Sequence, residues 1–556
     1  MMKDLTVRRL LTLLLTLLLT AALLCLSLPP IHAQDEGEMQ IEAILAQMPL
    51  EVRLGQLFMV SFFGEGLNET STAFLRQMTP GGIGVFTSNG VSPAAVTRST
   101  NAWQALAAQI GAKVPLLIAT DQEGGTVQRL NDGFTAFPWG GALSAMPPEQ
   151  TAQVAAMTAT ELRAVGINMN FAPVADLRHA EGRFMEKRVW GHSAARVGAA
   201  IAAYVRGLQG GGVVATLKHF PGHGAATDSH LALPTVSFTR ERMAYELIPF
   251  RMGIAAGADV VMVAHLNVPS LDPAKDTPAT LSRPIVSDLL RGELGFEGVI
   301  ITDAMDMGGV RQNFTPAAAA VRAIQAGIDM LATGPNLPIT EQLNMKRALL
   351  EAVLNGDIAR ERIDESVRRI LRLKAKYGLL AGWQPLEVQA AAERVQSAAH
   401  RAALEAIYLR TVAVAYQQPN LLPLDPQRSK IGIIYPGAYL SAGRTCSLYG
   451  EPTRQLAYSL TPTDNELSIA RQINTQVDVV VVFTFNIDEY PRQARLVNTF
   501  SAQKTVVVAL QNPYDITRGI QPAAYLAIFN PYPEAIRAAC AVLYNAFPPS
   551  GFFRVP

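Results

Sequence analysis

The sequence predicts an α/β chain: a (β/α)8 TIM-type barrel followed by a smaller C-terminal α/β sandwich-like domain. Three observations carry this. Between about residues 55 and 335, eight apolar runs alternate with helix-like segments. Several of those runs end in an ionisable side chain. The pattern then stops at Tyr377-Gly378, and a second, shorter series of apolar runs begins.

The eight runs are Leu57–Phe63, Gly82–Thr87, Pro115–Asp121, Ile167–Asp176, Val213–His219, Asp259–His265, Gly298–Asp303 and Asp329–Thr333. They are almost continuously apolar, as parallel strands buried on both faces must be. Ala-rich segments such as Pro148–Val165, Ala194–Gln209 and Thr239–Ala256 lie between them and read as helices. This alternation defines an α/β unit, and eight repeats in such a length fit a closed barrel. Asp121, Asp176, Lys218-His219, His265 and Asp303 stand at the carboxyl ends of their runs. A barrel gathers its active site at those ends, whereas an open doubly wound sheet brings fewer of them to one point. Any single strand-end Asp can simply cap the next helix, but five ionisable ends together point to a site.

Beyond the barrel, residues 386–410 read as one long Ala-rich helix. Lys430–Tyr435, Asp478–Phe485, Thr505–Gln511 and Tyr525–Phe529 read as strands. The expected organisation is a signal peptide over 1–33, the barrel over 34–380, a helical linker over 381–410 and the C-terminal domain over 411–556.

Hydrophobic residues make up 49% and charged residues 17%, which suits packed domains and not disorder. With 47 basic against 46 acidic residues, no basic field exists to hold nucleic acid. At the N-terminus, Lys3, Arg8 and Arg9 precede an apolar run from Leu10 to Leu28, followed by Pro29, Pro30 and Ile31-His32-Ala33. That order reads as a secretory signal cut after Ala33, and so as an exported protein. An uncut segment of this length would instead tie the protein to the membrane or cell envelope. Leu24 stands where a lipoprotein site needs a small residue, so Cys25 falls in the discarded segment. Cys446 and Cys540 remain; export permits a disulfide, but their spacing does not establish one.

Three of the eight histidines lie between positions 219 and 230, in Lys218-His219-Phe220-Pro221-Gly222-His223-Gly224 and Asp228-Ser229-His230. Pro221, Gly222 and Gly224 disfavour a helix, so this is a loop leaving a strand. His219, His223, Asp228 and His230 are acceptable metal ligands, but the His-x3-His pair faces one way only in a helix. His223 reads first as a residue bonding the loop itself. Asp228 and His230 suit proton transfer, because a nearby carboxylate orients an imidazole and raises its basicity. A Ser-His-Asp hydrolase with Ser229 as nucleophile competes, yet a serine adjoining its own base is badly placed. Asp303, at the end of Gly298-Val299-Ile300-Ile301-Thr302-Asp303, is placed to attack an anomeric carbon or to cap a helix. Asp306 reads as a cap or a solvent-facing residue. Asp121 and Arg129 can bond sugar hydroxyls or pair with each other.

Taken together, these segments resemble glycoside hydrolase family 3, in its two-domain form and its β-N-acetylglucosaminidase branch. The residues that carry the resemblance are Asp121-Gln122-Glu123-Gly124-Gly125 with Arg129, Asn170-Phe171-Ala172-Pro173-Val174-Ala175-Asp176, Arg188-Val189-Trp190-Gly191, the Lys218–Gly224 loop, Asp228-Ser229-His230 and Ile301-Thr302-Asp303. Leu421-Leu422-Pro423-Leu424 and Ala509–Asp515 resemble the family's second domain more weakly. The resemblance implies Asp303 as nucleophile and His230, oriented by Asp228, as general acid/base. It implies Asp121, Arg129, Arg188, Lys218 and His219 as holders of a terminal N-acetylglucosamine. The implied reaction is exo-cleavage with retention, on peptidoglycan fragments above all, with no metal or organic cofactor. A neutral imidazole in place of a second carboxylate also leaves room for phosphate as acceptor. A β-glucosidase of the same family and a non-catalytic cell-wall carbohydrate-binding protein are the competing readings. Trp190 replaces the family's more usual Phe and is expected to bear on sugar selectivity.

Overall fold

The computed structural model describes residues 31–419, 421–549 and 551. The expected signal segment lies almost entirely outside them, and a helix, Ile31–Gln47, runs across its expected end. Among the described residues no helix is long and apolar enough to cross a membrane.

All eight expected runs form strands, seven of them shorter than the run and one shifted by a residue: β1 Phe58–Val60, β2 Gly82–Val85, β3 Leu117–Thr120, β4 Met169–Asn170, β5 Val214–Phe220, β6 Val260–Val263, β7 Val299–Thr302 and β8 Leu331–Ala332. Each pairs in parallel with its neighbour, and β8 pairs back onto β1. A parallel bridge between Ile301 and Met330 closes the ring. The apolar runs are continuous because each strand feeds two layers. Met59, Leu117, Ala119, Met169, Val214, Val260, Met262, Val299 and Ile301 fill the barrel interior. Their neighbours Ile118, Val261 and Ile300 face the helices outside.

Pro148–Ala164 and Ala194–Gly210 are helical as expected. The segment Thr239–Ala256 is two helices, Arg240–Glu246 and Ile248–Ala255, with Pro249 in the first turn of the second. Proline tolerates that place because it has no N–H to leave unbonded. The single helix expected over 386–410 is also two, Val388–Arg394 and Ala398–Thr411. Gln396 between them has φ +50° and donates its N–H to Glu161, and Ser397 caps the second helix.

The C-terminal sheet contains β9 Ala413–Gln417, β10 Ile431–Pro436, β11 Arg454–Tyr458, β12 Val479–Thr484, β13 Thr505–Ala509 and β14 Ala524–Ala527. Its order is β9-β14-β13-β12-β10-β11, parallel except for the β9–β14 pair. Cys446 and Cys540 are joined in a disulfide between the helices Ser441–Cys446 and Pro533–Leu543. Buried Glu161 ties the sheet's lead-in helix to the barrel, accepting from Thr135 and from His400 Nδ1 (2.8 Å).

Candidate active site

Strand parity delivers the site. Val299 and Ile301 point into the barrel, so Asp303, two residues on, enters its mouth. Leu117 and Ala119 do the same for Asp121, and Val214 for Lys218. The β5–β6 register shifts between Leu217 and Phe220, and that irregularity presents Lys218 and His219 side by side.

A cavity of about 540 Å³ opens here, and Asp121, Arg129, Arg188, Lys218, His219, His230 and Asp303 all line it. Asp228 stands beside it, its Oδ1 2.8 Å from His230 Nδ1. The structure thus brings together all eight candidate residues, Lys218 and His219 from strand β5 itself and the others from the loops after β3, β4, β5 and β7.

The floor is a lattice of buried charge. Lys218 Nζ lies 2.6 Å from Asp121 Oδ1 and 2.7 Å from Glu123 Oε1. Arg188 grips Glu123 with two bonds, of 2.7 and 3.1 Å. Burial would raise the Glu123 carboxyl, but Arg188 and Lys218 bring it down to about 2. Arg188 Nη2 also lies 3.3 Å from His219 Nε2, while His219 Nδ1 donates to Asp176 Oδ2 at 2.7 Å. Asp176 accepts the backbone N–H groups of His219 and His223 as well, and stays below the usual carboxylate range despite complete burial. The Arg129 Nε lies 3.6 Å from Asp121 Oδ2, and the guanidinium lies over the Phe86 ring. That leaves its guanidinium facing the cavity in place of the tight ion pair a surface role would form.

Asp303 is half-buried at the end of β7 and accepts the Ala304 N–H at 2.8 Å. Burial opposes its charge, yet His219, His265, that N–H and Lys218 hold it at about 2. It is therefore a carboxylate at neutral pH. His265 itself is occupied: its nitrogens meet Thr280 Oγ1 and Ala304 O.

His230 is different. Its side chain is 58% exposed, against 2% for Lys218. The loop is fastened through its backbone: Gly308 N–H donates to His230 O, and Gly309 N–H to Ser229 O. A Cβ on Gly308 would lie 2.4 Å from Leu231 O, so this approach needs glycine. Below, His223 Nε2 lies 2.8 Å from Ser229 Oγ. His223 is buried, its pKa lowered to about 4 by burial and the His219 charge, so it is a neutral prop for the loop. The Ser229 hydroxyl pairs with His223 and not His230, and no carboxylate meets His223 Nδ1, so a Ser-His-Asp relay is not assembled.

Three expectations change. Asp306 is partly buried, lines the cavity and accepts the Asn336 N–H at 2.9 Å. Trp190 is buried away from the sugar cavity, its ring 5.5 Å edge-on from Tyr204. Glu123 and Asp176, whose individual roles the sequence does not show, anchor most of the polar floor. Glu123 stands two residues after Asp121 on a short strand, Gln122–Gly124, and that spacing was the available signal.

The segment bearing Arg188 is also held by the second domain. Buried Glu186 bonds Arg178 (2.7 Å), Arg518 (2.9 Å) and Asn512 (3.3 Å), and Lys187 pairs with Glu489. The Arg178 guanidinium lies 3.7 Å from the Tyr514 ring centre.

A closed parallel barrel with a strand-end carboxylate, an imidazole–carboxylate pair and a cradle for hydroxyls defines a carbohydrate-processing hydrolase. The family model for the glycosyl hydrolase family 3 N-terminal domain matches residues 49–373. The chain is 35% identical over 320 residues to β-hexosaminidase A of Pseudoalteromonas piscicida, a match covering 53% of each chain, about half of that relative's length. It is 31% identical over 424 residues to a β-N-acetylglucosaminidase/β-glucosidase of Cellulomonas fimi, covering 74% of this chain and 72% of that one. The solved structure of a family 3 β-N-acetylglucosaminidase from Paenibacillus sp. str. FPU-7 superposes with a TM-score of 0.79 at 33% identity, covering 92% of this chain and 99% of that one. The chain belongs to glycosyl hydrolase family 3 and is a glycoside hydrolase.

Proposed function

We propose that the protein is an exported, exo-acting, retaining β-N-acetylglucosaminidase that removes terminal N-acetylglucosamine from peptidoglycan fragments. The observation that carries this is the convergence of ionised Asp303, His230 with Asp228, and the Asp121–Lys218–Glu123–Arg188 lattice on one cavity. The names of the similar proteins point the same way, and the Cys446–Cys540 disulfide suits an oxidising compartment.

In this reading Asp121, Arg129, Arg188, Lys218 and His219 hold the hydroxyls of the terminal sugar. The Asp303 oxygen left free by the Ala304 N–H attacks C1, and the bond from C1 to the leaving oxygen breaks. His230 Nε2 gives that oxygen its proton, while Asp228 holds Nδ1 and stabilises the imidazolium through the step. The neutral imidazole then takes a proton from water, which attacks C1 and frees Asp303. Retention follows from two displacements.

The direct experiment compares turnover of an aryl β-N-acetylglucosaminide with the matching glucoside. The reading expects clear preference for the N-acetyl substrate. Preference for the glucoside favours the β-glucosidase alternative. No turnover of either by folded protein contradicts an enzyme and leaves the carbohydrate-binding alternative.

A further inference from the structure

We propose that the leaving-group ring of the substrate lies in a groove continuing from the catalytic cavity over the ends of β8 and β1, with Phe63 as its platform. The proposal rests on the glycosidase reading above and adds the position and chemistry of the second ring.

A second cavity of about 450 Å³ adjoins the first. The two share Ser61, Phe63, Pro335 and Asn336 as a common wall. Phe63 is 63% exposed at this junction. Its neighbour Phe62 meets the packing demand of the segment, buried edge-on against Phe74 and Trp103. The Phe63 ring is therefore spare, and it stands at the rim of a sugar-sized cavity.

The groove matches a neutral pyranose. Phe63, Pro335 and Pro338 supply carbon surface, and Asn68, Asn336 and Thr340 supply amides and a hydroxyl. Among the described residues, no charged side chain lines this second cavity. A sugar ring has the same composition, C–H faces edged by hydroxyls, so it can lie on a phenyl face and bond at its rim. An anionic group seated there would meet no cation.

The direction also agrees. The far end of the terminal sugar is set by Asp121 and Arg129 after β3, and its reacting carbon by Asp303 after β7, the strand next to β8. His230 lines the same catalytic cavity as Asp303, its loop resting on Gly308 and Gly309. Asp306 fixes the groove wall by accepting the Asn336 N–H. Gly334, at φ +77°, passes so near that a Cβ would lie 2.1 Å from Asp306 Oδ1.

The test uses two donors that differ only in the leaving group. One is the β-1,4-linked N-acetylglucosamine disaccharide; the other is N-acetylglucosaminyl β-azide, whose leaving group has no ring. Phe63→Ala is expected to cut kcat/KM for the disaccharide about tenfold while the azide stays within about twofold. Phe63→Trp is expected to keep the disaccharide at or above the wild-type value. Equal loss on both donors, or no loss on either, overturns the groove and leaves the glycosidase reading intact. No turnover of either donor by folded wild-type protein overturns that reading itself, and the groove with it.

Discussion

The catalytic cavity has two walls built on opposite plans. The wall proposed to hold the sugar is mostly buried and cross-linked: Lys218, Glu123, Arg188 and Asp121 form one lattice, and Asp176 locks His219 beside it, with Arg129 alone more loosely held. The wall proposed to transfer the proton is an exposed loop, in which Asp228 supports the His230 ring and the backbone rests on two glycines. A buried charge lattice stands only when every member is paired, so it is rigid and intolerant of substitution. An exposed imidazole can change with little effect on folding. On the proposed roles, binding geometry is set by the fold, while the acid/base is attached to it.

The variants that probe this contrast are ordered by expected effect. Asp303→Ala, between the walls, is expected to lower kcat by about four orders of magnitude or more, measured on an aryl glycoside. Lys218→Met leaves Glu123 and Asp121 without their shared ammonium. Denaturant unfolding is expected to register a loss of about 3 kcal/mol, alongside a fall in kcat/KM. A stable Lys218→Met protein would break the contrast on the buried side. His230→Ala is expected to slow poor leaving groups about a hundredfold, spare good ones, and leave stability within about 0.5 kcal/mol. Marked destabilisation there would break it on the exposed side. Arg518→Ala removes one cation from Glu186, behind the Arg188 segment. A KM raised several-fold with kcat near wild type would make the second domain a brace for the sugar-holding wall.

The smallest effect concerns acid. The His223 pKa of about 4 lies below the ordinary 6.5, so between those values the unfolded chain binds more protons and stability falls as pH falls. His265, also lowered by burial, adds the same sign. Glu123 and Asp303, held at about 2, lose their contributions only below about pH 4.5 as pH falls toward 2. Buried Asp515, pushed up to about 7, acts with the opposite sign over the same range, so the expectation is a difference: from pH 7 to pH 5 the wild-type melting temperature falls relative to that of His223→Gln. Equal slopes in the two proteins would mean that His223 is not the buried neutral prop described.

Much of this was legible in the sequence because strands repeat every two residues. Apolar runs located the eight strands, and four of the ionisable residues ending them, Asp121, Lys218, His219 and Asp303, line one cavity, while Asp176 and His265 are buried. What escaped depended on contacts remote in sequence. Asp176 reads only as a strand end until His219, 43 positions away, folds onto it. The break at Gln396 answers to Glu161, 235 positions away. Trp190 stands two residues after Arg188 and differs from the family's more usual Phe, yet the turn of the chain sends it toward Tyr204. Cysteine spacing held no information on distance, and the pairing of Cys446 with Cys540 emerged only from their helices.

The central claim is that Asp303 forms a covalent bond to the terminal sugar. Protein incubated with a 5-fluoro N-acetylglucosaminyl fluoride, then digested and mapped by mass spectrometry, tests it most directly. The account predicts one added sugar per chain, on the peptide containing Asp303, and no adduct in Asp303→Ala. A sugar on another carboxylate, or an adduct that persists in Asp303→Ala, would contradict it.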